Sequence, residues 1–149
     1  MRPYYDHAGI TIYHGDYAEV LPEIRPLVDA ICTDPPYGET SLAWDRWQSG
    51  WPSIALKCLI PTGSMWCFGS MRMFLQNVAE FGGWQFAQDI VWEKHNGSSF
   101  HADRFKRVHE HALHFYPKSS VWGEIYSQPQ FTMDATKRTS RRKQRPAHT

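Results

Sequence analysis

LVDAICTDPPYG, residues 27–38, is a nearly continuous apolar run that ends in an acid, two prolines and an aromatic ring. A run of this kind, broken by one acid at Asp29, suits a strand buried on both faces of a parallel sheet. Pro35 and Pro36 cannot donate backbone hydrogen bonds, and each fixes its own φ. Pro35 also pushes Asp34 out of the helical region. The strand therefore stops at Thr33 and gives way to a rigid loop.

The flanks supply the rest of a layered domain. Before the run, GITIYH (residues 9–14) alternates apolar and polar residues and predicts a strand closed by Gly15-Asp16. Tyr17 to Ile24 is a short helix candidate, ended near Arg25-Pro26. After the run, residues 39–50 form a polar loop bearing Trp44 and Trp47. Ser53 to Ile60 reads as a helix, Pro61-Thr62-Gly63 as a turn and Ser64 to Phe68 as a second buried strand. Met71, Phe74, Leu75 and Val78 predict a helix over 70–81, stopped by Gly82-Gly83. Trp84 to Glu93 is strand-like, 94–106 a polar loop, and Arg107 to Tyr116 the last clear strand. There is no internal repeat.

Strands alternating with helices predict an α/β domain with a largely parallel sheet. Ligands of such sheets bind outside the carboxyl ends of the strands. Asp16 and Asp34 are both expected at such ends.

A chain of 149 residues is enough for one domain with a real core. No apolar run approaches the roughly 18 residues that span a membrane, and MRPYYDHAG lacks the apolar segment of a secretory signal. The expectation is a cytoplasmic protein without a membrane partner. Cys32, Cys58 and Cys67 show no CxxC spacing and are expected to be buried, reduced thiols. Residues 1–136 hold 10 Lys/Arg against 15 Asp/Glu, whereas the last 13 residues hold six Lys/Arg and no acid. A basic tail of this kind suits either a polyanion or a solvated terminus.

The DPPY stretch has a chemistry of its own. Asp34 and the Pro35 carbonyl are acceptors beside the flat face of Tyr37. That set fits a planar group bearing an exocyclic NH2, whose hydrogens go to the two acceptors while its ring stacks on Tyr37. Such hydrogen bonds favour a pyramidal nitrogen with a free lone pair, able to attack an electrophilic methyl group. The alternative is a plain Pro-Pro turn with an Asp cap.

The stretch resembles the catalytic motif of the amino-group DNA methyltransferases, which methylate adenine N6 or cytosine N4 with S-adenosylmethionine. ITIYHGDYAEVLPEI and VDAICTDPPYG are similar to the opening of that family's domain, and LIPTGSMWCF to the strand after the catalytic motif. DIVWEKHNG and RVHEHALHFYPK resemble the later strand pair, with its W-x-K-x-N and H-E patterns at Trp92, Lys94, Asn96, His109 and Glu110. The resemblance runs over residues 9–118. It implies a Rossmann-like, S-adenosylmethionine-dependent fold, with a partial sheet in this chain.

Motif order implies more. A catalytic motif near the N-terminus is the family's beta-type arrangement, in which the glycine-rich cofactor motif follows later in the chain. Phe68-Gly69 and Phe81-Gly82-Gly83 are the near matches. The first lacks the second glycine, and the second follows a helix where a cradling loop should follow a strand. The expectation is a chain truncated before the cofactor half, with strand edges and apolar surface uncovered.

The resemblance assigns Asp34, Pro35, Pro36 and Tyr37 as the catalytic set, and Asp16 and Asp34 as cofactor contacts. The competing reading of Asp16 is a cap on the helix from Tyr17. Residues 1–118 are the catalytic part. Residues 119–149 are a basic segment, either the start of a target-recognition region or a tail. FHADRFKR (100–107) mixes aromatic and basic residues. Arg104, Lys106, Arg107, Lys137, Arg138, Arg141 and Arg142 are therefore candidate phosphate contacts on double-stranded DNA. Trp44 and Trp47 are candidates to close over a base extruded from the helix, or else pack on the domain surface. A complementing chain or a homodimer is a further expectation.

HEHALH (109–114) lacks the second histidine of a zinc H-E-x-x-H motif, because residue 113 is Leu113, so no metal is expected. No cysteine follows a proline, which argues against a covalent cytosine-C5 mechanism. The reading is a site-specific DNA methyltransferase of the restriction-modification kind, adenine N6 before cytosine N4, since Asp stands at the motif's first position. The alternatives are an inactive DNA-binding remnant and a methylase of RNA or protein amides.

Overall fold

A computed structural model describes residues 1–98, 103 and 105–128. Tyr5–His7 (β1) and Ile10–Ile12 (β2) form an antiparallel hairpin. Its turn uses positive φ at Ala8 and Gly9, the geometry that matches strand twist. The expected strand over 9–14 is thus shorter, and lies in a two-stranded sheet of its own.

The main sheet has four strands: Val28–Thr33 (β3), Leu59–Gly69 (β4), Trp84–Ser98 (β5) and Arg107–Pro117 (β6). Their order is β3-β4-β6-β5. The β3–β4 pairing is parallel; β4–β6 and β5–β6 are antiparallel. The expectation of a largely parallel sheet is therefore corrected to a mixed one. The cause is the direct reversal from β5 into β6, which needs no crossover helix.

The helices are shorter than their apolar patterns suggest. Tyr17–Val20 (α1) passes into a 3-10 turn at Leu21–Glu23, where Pro22 follows. Trp51–Leu56 (α2) starts after Gly50. Met71–Gln76 (α3) is capped by Ser70, whose hydroxyl accepts from the Met73 amide at 3.0 Å, and gives way to a 3-10 turn at Val78–Phe81.

Strand alternation divides the sheet's side chains into two faces. One face carries Met65 and Cys67 of β4 and Leu113 and Phe115 of β6. It packs on Trp51, Ala55, Met73, Phe74, Phe81 and Trp84 to make the core. Phe81 stacks on Phe115 with centroids 4.9 Å apart, and the Trp84 indole donates to the Pro52 carbonyl at 3.0 Å.

The other face carries Cys32, Trp66, Phe68, Ile90, Trp92 and His114. Cys32, Ile90 and Trp92 are exposed there. The expectation that β3 is buried on both faces is corrected, because the described residues leave this face of the sheet uncovered at β3, so that Ala30 and Cys32 stand open to solvent, as Ile90 and Trp92 do on β5. Of the three cysteines expected to be buried, only Cys58 and Cys67 are.

The expected turn at Pro61-Thr62-Gly63 lies inside β4. There the pairing jumps from Val28–Leu59 to Ala30–Ser64, so the extra residues bulge. A Cβ at Gly63 would stand 2.6 Å from the Asp29 carbonyl, which explains glycine at this close approach. The loop expected over 94–106 is corrected in its first part, since β5 continues to Ser98 and pairs Ser98 with Arg107. No helix among the described residues is long and apolar enough to cross a membrane.

Candidate active site

Asp34 to Tyr37 leave the carboxyl end of β3, where the prolines end the strand as expected. The Tyr37 hydroxyl donates to Asp34 Oδ1 at 2.7 Å. Burial and that hydrogen bond push the Tyr37 hydroxyl well above its ordinary range, so it stays a donor. The Tyr37 ring packs against the core, while Asp34 remains exposed.

The next residues are held closely. Gly38 adopts φ +71°, a left-handed conformation that suits glycine. Asp45 is 3% exposed, and its carboxylate accepts the N–H groups of Gly38 at 2.8 Å, Glu39 at 3.0 Å and Thr40 at 2.7 Å. Glu39 in turn accepts from the Ser70 hydroxyl and from Arg107 Nη1, the latter at 3.0 Å. The far end of the loop is tied separately: Glu80 accepts from the Ser49 hydroxyl and, at 2.8 Å, from the Gly50 amide. Asp45 and Glu39 were missed in the sequence. The available signal was a short acid within reach of a glycine turn, the setting in which Asp binds local backbone amides.

Lys94 and Glu110 form an ion pair between β5 and β6. The charge of Glu110 reaches Tyr37 and helps to raise its pKa. The two strand residues of the W-x-K-x-N and H-E patterns are thereby brought together beside the DPPY loop. Phe68 and Trp92 meet edge to face on the same side of the sheet, 5.7 Å apart.

The other expected site residues are dispersed. Asp16 accepts from the Ala18 amide at 2.8 Å and caps α1, as its competing reading held. It follows the hairpin, so only Asp34 stands at the end of a strand of the main sheet. Trp44 is 68% exposed. Trp47 instead packs on Trp51 and Phe81, at 5.8 and 6.2 Å, which corrects its candidacy to close over a base. Lys106 is exposed, and Arg107 is engaged by Glu39. Arg104, Lys137, Arg138, Arg141 and Arg142 lie outside the described residues.

The described residues fit only one end of S-adenosylmethionine. Asp34 at the tip of β3 is an exposed acid of the kind a methyl donor's positive sulfur attracts. At the near matches to the cofactor motif the adenosine end finds no open cradle: a Cβ at Gly69 would meet Met73 and Phe74 side chains, and one at Gly83 would meet Leu56. No group of three or more metal-ligating side chains occurs among the described residues. Burial pushes the Cys67 thiol up to about 12, so it carries no thiolate nucleophile at neutral pH.

Comparison with known proteins gives the family and the fold. The family model described as DNA methylase (N6_N4_Mtase) matches residues 28–149, starting at the first residue of β3. The Type II methyltransferase M2.LlaDCHI of Lactococcus lactis subsp. cremoris is 28% identical over an alignment of 126 residues, and the match covers 64% of this chain and 45% of that protein. The crystal structure of the M1.HpyAVI-SAM complex superposes with a TM-score of 0.57 at 28% identity, covering 80% of this chain and 60% of that one. The M1.HpyAVI crystal structure gives a TM-score of 0.55 at the same identity, covering 78% and 59%. The chain thus spans about half the length of the curated relative it matches.

Proposed function

This chain belongs to the N6/N4 DNA methylase family and carries part of its Rossmann-like methyltransferase sheet, and from that membership we propose that it methylates an exocyclic amino group of a DNA base, adenine N6 before cytosine N4. The observation that carries the reading is the Tyr37 hydroxyl on Asp34 Oδ1 at the tip of β3. It orients the carboxylate and leaves the second oxygen to accept from the amine of the base. The Pro35 carbonyl is the other acceptor, and the Tyr37 ring the stacking face. The amine is then held with its lone pair directed away from both acceptors.

S-adenosylmethionine supplies an electrophilic methyl group when bound. Asp34 is the residue proposed to face it, and Asp16 is proposed as a second contact beyond its capping role. The target base must leave the duplex stack to reach Tyr37. Trp44, exposed on the loop after Tyr37, is suited to stack on it. Lys106 and Arg107, with Arg104 and the basic residues Lys137, Arg138, Arg141 and Arg142, are proposed to follow phosphates. Residues 1–118 would be the catalytic part and 119–149 a DNA-facing basic segment. Asp at the first motif position is the ground for favouring adenine.

The test is transfer of labelled methyl from S-adenosylmethionine to unmethylated duplex DNA, with the modified nucleosides separated by mass spectrometry. N6-methyladenine from the wild type and none from Asp34→Ala is the expected result. N4-methylcytosine would overturn the adenine preference. Salt-sensitive DNA binding without S-adenosylmethionine binding in calorimetry would overturn the enzyme reading in favour of a DNA-binding remnant. The edge of β3 that no described residue pairs suits a complementing chain, so the assay is run with and without a downstream family segment.

A further inference from the structure

Tyr37 is bracketed by two devices of different kinds. On its N-terminal side Pro35 and Pro36 fix φ covalently. On its C-terminal side three consecutive amides, Gly38, Glu39 and Thr40, all donate to one carboxylate, that of Asp45. Asp45 is buried, and the Thr40 side chain, aided by these three amides, holds it down to about 2, so the anion persists at working pH.

A loop of this length needs some anchor, but it has another. Its far end is tied to Glu80 through Ser49 and Gly50, and Trp47 is packed into the core from within it. The Asp45 carboxylate takes part in neither of those anchors. Its carboxylate is spent on the residues that directly follow the DPPY motif. The Gly38 amide it accepts belongs to the peptide that begins at the Tyr37 carbonyl, so the same bond limits the ψ of Tyr37 and hence the ring and hydroxyl that meet Asp34.

We propose that Asp45 is a positioning residue for methyl transfer, holding the Tyr37 hydroxyl on Asp34 through the amides of Gly38, Glu39 and Thr40 without touching the substrate. The proposal rests on the reading of residues 34–37 as the methyl-transfer site. An Asn at the position keeps the shape but directs NH2 hydrogens at N–H donors, so it breaks the arrangement with little change in volume.

The test compares Asp45→Asn with the wild-type full chain in three measurements. The first is amide hydrogen exchange at residues 38–40, together with the NMR signals of the Tyr37 ring. The second is the melting temperature. The third is kcat and KM for methyl transfer to duplex DNA. The expected result is exchange at Gly38–Thr40 faster by about tenfold or more, a displaced Tyr37 ring signal and a fold that still melts cooperatively. With these, kcat falls by about tenfold or more while both KM values stay within about threefold. Asp45→Glu, which restores the anion one methylene away, recovers part of both effects, and it carries the test if Asp45→Asn does not fold.

Unchanged exchange with an unchanged ring signal overturns the proposal. So does a rise in KM at constant kcat, which would make Asp45 a binding residue. If the wild-type chain transfers no methyl group even with the downstream family segment added, the proposed function fails. Exchange and the Tyr37 ring signal then still decide whether Asp45 holds the loop.

Discussion

His114 of β6 lies flat against Trp66 of β4, with ring centroids 4.2 Å apart and planes 1° from parallel. Trp122 meets the His114 ring nearly edge-on at 5.7 Å. The imidazole is 3% exposed, and neither ring nitrogen has a hydrogen-bond partner among the described residues. Burial therefore lowers its pKa below the ordinary 6.5.

A pH dependence follows from that direction. Below the ordinary His value the unfolded chain binds a proton that the folded chain refuses. The stability is whole above about pH 6.5 and declines as pH falls through that value toward the lower, folded one. Melting at about pH 5.5 should thus occur at lower temperature than at about pH 7.5. In His114→Phe the gap between the two melts should narrow, as thermal scans followed by circular dichroism will report. An equal gap in the variant would assign the dependence to other groups.

Met65 is fully buried at the centre of β4, between the helices and the partner strands. Met65→Ala should cost about 2–5 kcal/mol through lost transfer energy and the cavity left behind. Urea unfolding measures this as a lower midpoint at unchanged slope. A loss below about 1 kcal/mol would mean that the core collapses around the gap.

Tyr37→Phe keeps the stacking ring and removes only the hydroxyl that binds Asp34. A hydrogen bond to a charged acceptor is worth about 1.5–3 kcal/mol, and Asp34's exposure points to the low end, so kcat should fall about tenfold with little change in KM for DNA. Tyr37→Ala should raise KM as well, since the stacking face goes too. Steady-state methyl transfer separates the two variants; identical losses would deny the hydroxyl its separate role.

The left-handed φ of Gly38 turns the chain after it so that the Glu39 and Thr40 amides reach Asp45. Gly38→Ala imposes a penalty of about 1–2 kcal/mol. Relief by a shift of the backbone would move Tyr37. The expected outcome is a melting temperature lower by roughly 2–8 °C, with a disproportionate loss of methyl transfer. A drop in stability with full activity would show that the loop conformation is not critical for the chemistry.

The DPPY loop was legible in the sequence because its signals are local. Prolines end a strand wherever it lies, and an acid beside a tyrosine stays beside it. The exposure of β3 was not legible. An apolar run states what a strand is suited to cover, whereas whether a layer covers each face depends on where the helices, some twenty to forty residues on in the chain, pack against the sheet. The continuation of β5 was hidden because Glu93, Lys94 and His95 break the apolar alternation, and the Lys94 charge is answered only across the sheet by Glu110. Glu39 was invisible for the same reason: its partner Arg107 is 68 positions on. The helices were overlong on paper, because apolar spacing alone cannot register the 3-10 tightening after Val20 and Gln76.

Among the described residues β3 is hydrogen-bonded on one side only, by β4. A strand with one neighbour opens by breaking a single ladder, so its opening free energy sits toward the low end of the molecule's range. The residues proposed for chemistry at its tip thus hang from a strand held by a single ladder, and whatever docks along its other side would set both the lifetime of the closed strand and the fraction of molecules ready to react.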